Sequence, residues 1–210
     1  MNEDASHSPP ENIPGLMDWK RRIFNLYANV RAADDAAGAW KLWRRTRDEM
    51  FGRHAQSPIP ADERTTFTGL ELFNYDPSAR AMGSLDPAEP QHFDIATSGT
   101  ETMGFTRFAS VSFEFEGREL TLEAYWLDGY GGGVFLPFRD ATAGRETYGG
   151  GRYLLDTVKG ADLGMENGAL VLDFNFAYNP SCAHDPRWVC PLAPPPNRLD
   201  AEIRAGEKHS

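Results

Sequence analysis

The stretch Phe138–Tyr153, reading FRDATAGRETYGGGRY, gathers arginine, carboxylate, hydroxyl and glycine into one segment. Arginine forks can hold a carboxylate or phosphate through paired hydrogen bonds, and glycine lets the backbone come close to a ligand. The same residues equally suit a tight turn held by an internal pairing of the Arg139–Asp140 or Arg152–Asp156 kind. A nucleotide-type phosphate loop is not indicated, because the lysine–serine/threonine ending is missing and no helical pattern follows to offer N-terminal amides. A second polar pair falls in Ala169–Tyr178. There, two-residue alternation sets Asp173 and Asn175 on one face and Leu170, Leu172, Phe174 and Phe176 on the other. A carboxylate only accepts, whereas an amide donates and accepts, so this pair can orient a ligand or an arginine, or satisfy itself. The expected site therefore comprises Arg139, Asp140, Thr142, Tyr148, Arg152, Asp173, Asn175 and Tyr178. It would bind a small anionic molecule, with arginines holding the charge and rings stacking. Tyr148 or Asp173 would act as an acid or base only with a shifted pKa, so catalysis stays open and no cofactor is assigned.

Cys182 and Cys190 flank His184 and Asp185 in a proline-rich stretch. Thiolate and imidazole are zinc ligands, but neither a close cysteine pair nor a second ligand pair accompanies them, so no metal is expected. Packed thiols and a redox-active or structural disulfide both remain open. Asp128–Gly133 is a second glycine-rich connection and reads first as a flexible hairpin loop. No nucleophile elbow, paired-histidine zinc motif or dinucleotide fingerprint occurs, so a classical hydrolase is not indicated.

A formal charge of -10 and a pI near 4.9 would repel a polyphosphate backbone, which argues against nucleic-acid binding. Only Lys20, Lys41, Lys159 and Lys208 accompany a much larger set of arginines. No long apolar run is present, so no membrane association is expected, and the opening MNEDASHSPPEN lacks the basic-then-apolar order of a signal peptide. A cytoplasmic location with reduced thiols follows as the expectation. A homodimer is the base-rate assembly.

The elements that must position these groups show in the periodicity. Residues 1–14 lack an apolar period and read as a disordered leader. Leu16, Trp19, Ile23, Leu26, Tyr27 and Val30 recur at helical spacing. A second helix is capped by Asp34 or Asp35, turns Trp40, Trp43, Met50 and Phe51 inward, and stops at Gly52. Its basic residues Lys41, Arg44, Arg45 and Arg47 read as a solvated face partnered by Asp48 and Glu49.

After residue 60 the period becomes two. Val111, Phe113 and Phe115 alternate with polar residues, Glu116-Gly117 makes a two-residue turn, and Leu120, Leu122, Ala124 and Trp126 continue the apolar face. That register sets Phe113 opposite Leu120 and Val111 opposite Leu122. Further strands are expected at 70–75, 80–85, 92–96, 102–108, 133–138, 151–157 and 169–178. Strands so closely spaced leave no helix-length connections, which favours a barrel or sandwich over a parallel sheet. Prolines from 180 to 196 forbid helix and central strand, so residues 179–208 should wrap over the barrel, anchored by Trp188, Leu192, Leu199 and Ile203.

ETYGGGRYLLD (146–156), LDFNFAYNPSCAHDPRWVCPLAPPPNRL (172–199) and IRAGEK (203–208) resemble an archaeal and bacterial family known as domain of unknown function number sixteen eighty-four. SPIPADERTTFTGLELFNYD (57–76) and LPFRDATAG (136–144) resemble its pattern too, so the likeness spans about residues 16 to 208. The resemblance implies a domain of this length without a settled activity. It draws attention to the glycine-rich loop and the cysteine-bearing wrap, and it implies that relatives can carry a non-ligating aromatic residue at His184.

The expected architecture is thus mainly β (α+β): an antiparallel barrel or split-barrel-like sheet with a helical hairpin at 15–52, a β-domain at 60–178 and a proline-rich wrap at 179–208, all within one domain, 15–208. Its expected function is to bind a small anionic molecule. A non-enzymatic structural or interaction module is the rival, and flavin binding by a split-barrel-like dimer is a version resting on fold analogy.

Overall fold

A computed structural model describes residues 12–209. The expected leader lies mostly outside them, and what is described of it is already helix. α1 runs Ile13–Arg31, with the Asn12 side chain accepting from the amide of Gly15. α2 runs Ala36–Arg53 and is capped by Asp35, whose carboxylate accepts from Ala37. Ile23, Leu26 and Tyr27 of α1 and Ala39, Trp40, Trp43 and Met50 of α2 are buried. No described helix is long and apolar enough to cross a membrane.

The basic face of α2 departs from expectation. Arg44 does approach Asp48, at 3.8 Å, but Arg47 is buried and bonds Glu207 through Nε and Nη2. Its guanidinium lies over the rings of Trp43, Phe51 and Tyr178. An inward-facing cation cannot be told from an outward one by helical period alone when its partner is 160 residues away.

The strands are β1 (Arg80–Ala96), β2 (Thr102–Phe115), β3 (Arg118–Leu127), β4 (Gly133–Phe138), β5 (Arg152–Asp156), β6 (Met165–Glu166) and β7 (Ala169–Asp173). They form one seven-stranded sheet in the order β5-β4-β3-β2-β1-β7-β6, every pairing antiparallel. The order is linear, so the sheet is open and the expected barrel closure is corrected to an open sheet. The turn between β2 and β3 holds Glu116 at φ 51° and Gly117 at φ 72°, the doubly positive geometry of a two-residue hairpin. Phe113 pairs with Leu120 and Val111 with Leu122, in the expected register.

Several expected strands merge. The 80–85 and 92–96 segments are one strand, interrupted between Pro87 and Gln91 by an irregularity where proline cannot donate to the ladder. Leu70–Tyr75 contributes only an isolated bridge, Leu72 to Glu207. The last strand stops at Asp173, where a 3-10 turn over Phe174–Phe176 begins.

Alternation places two cores on opposite faces. Val111, Phe113, Leu122, Leu136, Phe138, Leu170 and Leu172 pack with Leu199, Ile203 and Ala205 of the C-terminal segment. Phe105, Tyr125, Phe135, Tyr153 and Val171 pack beneath the two helices. The helix-side cover buries Tyr125 fully, whereas Trp126, expected inward, belongs to neither core and is 46% exposed. The C-terminal segment is stitched to the sheet by backbone: the Arg139 amide donates to Asn197, and Leu199 donates back to Arg139. The Asn197 side chain adds donations to the carbonyls of Glu123 and Pro137 and accepts from the Glu123 amide.

Candidate functional site

The eight residues expected to converge fall into separate groups. Arg152, on β5, is 1% exposed and sits against the Phe138 ring. Its Nη1 donates to the carbonyls of Ala205 and Glu207, and its Nη2 to that of Ile203 and to Asp140. Burial depresses the guanidinium pKa and the Asp140 carboxylate opposes that. Asp140 also accepts from the Ile203 amide and the Thr142 hydroxyl, and Thr142 meets Thr147 at 2.9 Å. Arg139 joins this group through its backbone. The group grips the chain from Ile203 to Glu207, occupying both terminal nitrogens of the guanidinium, while Nε is buried without a partner among the described residues.

Asp173 and Asn175 form a second group. Asp173 accepts from both the amide and the side chain of Asn175, and Asn175 exchanges hydrogen bonds with the backbone of Asp76. Burial raises the Asp173 pKa. The Trp40 indole donates to the Asn175 carbonyl, tying α2 to the same turn. Here the polar pair serves a strand end, a role that simple alternation conceals.

The largely apolar space lies elsewhere. A cavity of about 370 Å³ opens between α1 and the helix-covered face of the sheet. Leu16, Trp19 and Lys20 of α1, Met103 and Phe105 of β2, and Val134 and Phe135 of β4 form walls, closed by Val158, Lys159 and the segment Trp188–Pro191. Such a volume is in the range of small-molecule sites. Two of the four lysines, Lys20 and Lys159, lie on it, and Lys159 also stands 3.6 Å from Asp156. The buried Trp188 indole N–H has no partner among the described residues. Arg139, Asp140, Thr142, Tyr148, Arg152, Asp173, Asn175 and Tyr178 do not line this cavity, but Cys190 does. A small annex of about 60 Å³ shares Trp19, Lys159 and Ser181 with it and reaches Tyr178, whose buried hydroxyl is also unpartnered.

The sequence offered a faint signal for this cavity, the scarcity of lysine. Its apolar walls come from segments as distant as Leu16 and Pro191, and each residue alone reads as core.

Cys182 and Cys190 are both free and buried. Cys182 lies in a 3-10 turn over Ser181–Ala183, with Sγ 3.5 Å from Tyr148 Oη. The Cys190 amide donates to Ser98 Oγ, and its carbonyl accepts from the Ser98 amide. No cluster of three metal-ligating residues exists among the described residues.

A sequence profile described as "Protein of unknown function (DUF1684)" matches residues 65–208. No curated protein matches the chain. Among solved structures, an uncharacterised protein of Haloarcula marismortui, determined by solution NMR, is similar at 34% identity and a TM-score of 0.59, over 93% of this chain and 96% of the other.

Proposed function

The chain belongs to the DUF1684 family, and on that premise we propose that it binds a small apolar molecule bearing an anionic group in the cavity beneath α1. The observation that carries this reading is the cavity itself: about 370 Å³ of apolar-walled space with Lys20 and Lys159 on its lining. An apolar body would replace water along Leu16, Phe105 and Phe135, and the ammonium groups would meet the charge. The anion expected from the sequence is kept, but its cations become these lysines, because the Arg152 guanidinium is engaged by the protein's own carbonyls. The flavin version rested on barrel closure and loses that footing in an open sheet.

The test is a titration with 1-anilinonaphthalene-8-sulfonate, an apolar aromatic anion, followed by dye emission and by native mass spectrometry. Saturable one-to-one binding is expected, weakened in Lys159→Met and lost in Val158→Trp, whose larger ring fills the space. Undiminished binding to Val158→Trp would overturn this location.

The rival reading, a structural or interaction module, is favoured by one observation: the arginine-rich segment is consumed in holding the C-terminal segment. Failure of every apolar anion to bind, with the fold intact, would leave that reading standing.

A further inference from the structure

We propose that the molecule bound beneath α1 is a straight-chain carboxylate, whose head enters the small annex and meets Arg47 while its alkyl chain lies in the larger cavity. This assignment rests on the cavity reading and names the class of ligand. Trp19, Lys159 and Ser181 line both spaces, so the two meet along these three side chains.

Arg47 makes the annex more than a packing gap. Its Nε and Nη2 face Glu207, whose other carboxylate oxygen accepts from the Asn179 amide. The remaining nitrogen, Nη1, hydrogen-bonds nothing among the described residues, and unlike Nε of Arg152 it keeps accessible surface. Arg47 as a whole is only 4% exposed, and it lines the annex. A guanidinium nitrogen so placed carries N–H donors in need of an acceptor, since buried polar groups are almost always paired.

The rest of the lining sets the charge of that acceptor. Arg47 and Lys159 are cations, and no carboxylate lies on the annex among the described residues, whereas Asp156 lines the larger cavity. Burial pushes Tyr27 up to about 12 and raises Tyr178 well above the usual phenol range. Both annex tyrosines therefore stay protonated and set no negative charge against an anion. Glu207 balances Arg47 from its other edge, so the recess suits a singly charged head and not a phosphate dianion.

Size narrows the class further. The annex holds about 60 Å³, and a water-sized group needs roughly 10–15 Å³ of such space. That admits a carboxylate and excludes an aromatic ring. The larger cavity, walled by Leu16, Phe105 and Phe135, then takes the alkyl chain.

The experiment compares octanoate with 1-octanol, equal in chain and different in head, by isothermal titration calorimetry on the full chain. Wild-type protein is expected to bind octanoate roughly tenfold or more tightly, the worth of one hydrogen bond to a charged group. In Ala161→Leu, whose larger side chain fills the annex, octanoate should fall to the level of octanol. Arg47→Lys keeps a cation for Glu207 but withdraws Nη1, and it should lose the same preference; the urea midpoint of each variant shows that its fold is intact. Equal binding of the two molecules by wild type, as for an annex that holds water only, would overturn the assignment. A folded Ala161→Leu protein that keeps the preference would do the same. If 1-anilinonaphthalene-8-sulfonate and octanol bind while the preference is absent, the cavity reading survives and this assignment alone falls. If the dye, octanol and octanoate all fail to bind, both fall.

Discussion

The Arg152 region and the cavity beneath α1 are opposites. The first holds the residues that chemistry favours, yet both terminal nitrogens of Arg152 are turned onto the chain itself. The second is walled mostly by residues that look like ordinary core, yet it leaves space. The difference shows why residue type is a poor guide to a site. A buried guanidinium must find acceptors to offset its desolvation, and the nearest are carbonyls of an irregular segment that has no ladder of its own.

The largest expected effect breaks the first region. Arg152→Met would leave Asp140 buried without its cation and strip partners from the carbonyls of Ile203, Ala205 and Glu207. Removing one partner of a buried pair costs about 3–5 kcal/mol, so the urea midpoint should fall far below that of the wild type. A midpoint within error of wild type would mean that the arginine does not hold the C-terminal segment. Asn197→Ala tests the same contrast at a neutral group. Its side chain serves the Glu123 amide and the carbonyls of Glu123 and Pro137, and leaving buried backbone unpaired costs about 1–3 kcal/mol.

Val158→Trp addresses the second region and should separate the two sharply. Stability should change by only about 1 kcal/mol or less, because Val158 is a half-buried loop residue, while binding of the dye is lost. Equal damage to both properties would show that the cavity wall is part of the core after all.

What the sequence made legible was local. The β2–β3 register followed from alternation and a two-residue turn, and both helices from apolar spacing and an aspartate cap. What it hid was non-local. Arg47 looked solvated because Glu207 lies at the other end of the chain, and the burial of Tyr125 was hidden because alternation cannot show that the sheet is covered on both faces. Asp173 and Asn175 were expected in a strand, but a 3-10 turn began between them, with the Asp173 carboxylate as its cap. The cavity was least legible of all, since space is a property of packing and leaves no residue pattern.

The two cysteines sit between these regions, with Tyr148 from the glycine-rich loop on Cys182 and Cys190 on the cavity. The pH dependence of Cys182 sharpens the comparison. Iodoacetamide modification of Cys182 should be half-maximal near pH about 6, set first by the Cys190 hydrogen bond. In Cys190→Ser that midpoint should move only modestly if the serine hydroxyl keeps donating, but Cys190→Ala should raise it clearly. The sign follows from the lowered thiol: the donors stabilise the thiolate, so modification persists as pH falls until the folded-state value is reached.

The smallest effect belongs to neither region and calibrates both. Arg80 and Glu166 meet at 2.5 Å on the surface, with the glutamate side chain 55% exposed. An ion pair in that setting is worth about 0–1 kcal/mol, because water solvates both charges and side-chain entropy offsets the contact. Glu166→Gln should therefore leave the urea midpoint nearly unchanged, and added salt should make little further difference. A loss comparable to that of Arg152→Met would imply that proximity of charges, and not burial of an unpaired one, governs stability here. A negligible loss would place the weight where the geometry puts it, in the guanidinium that water cannot reach.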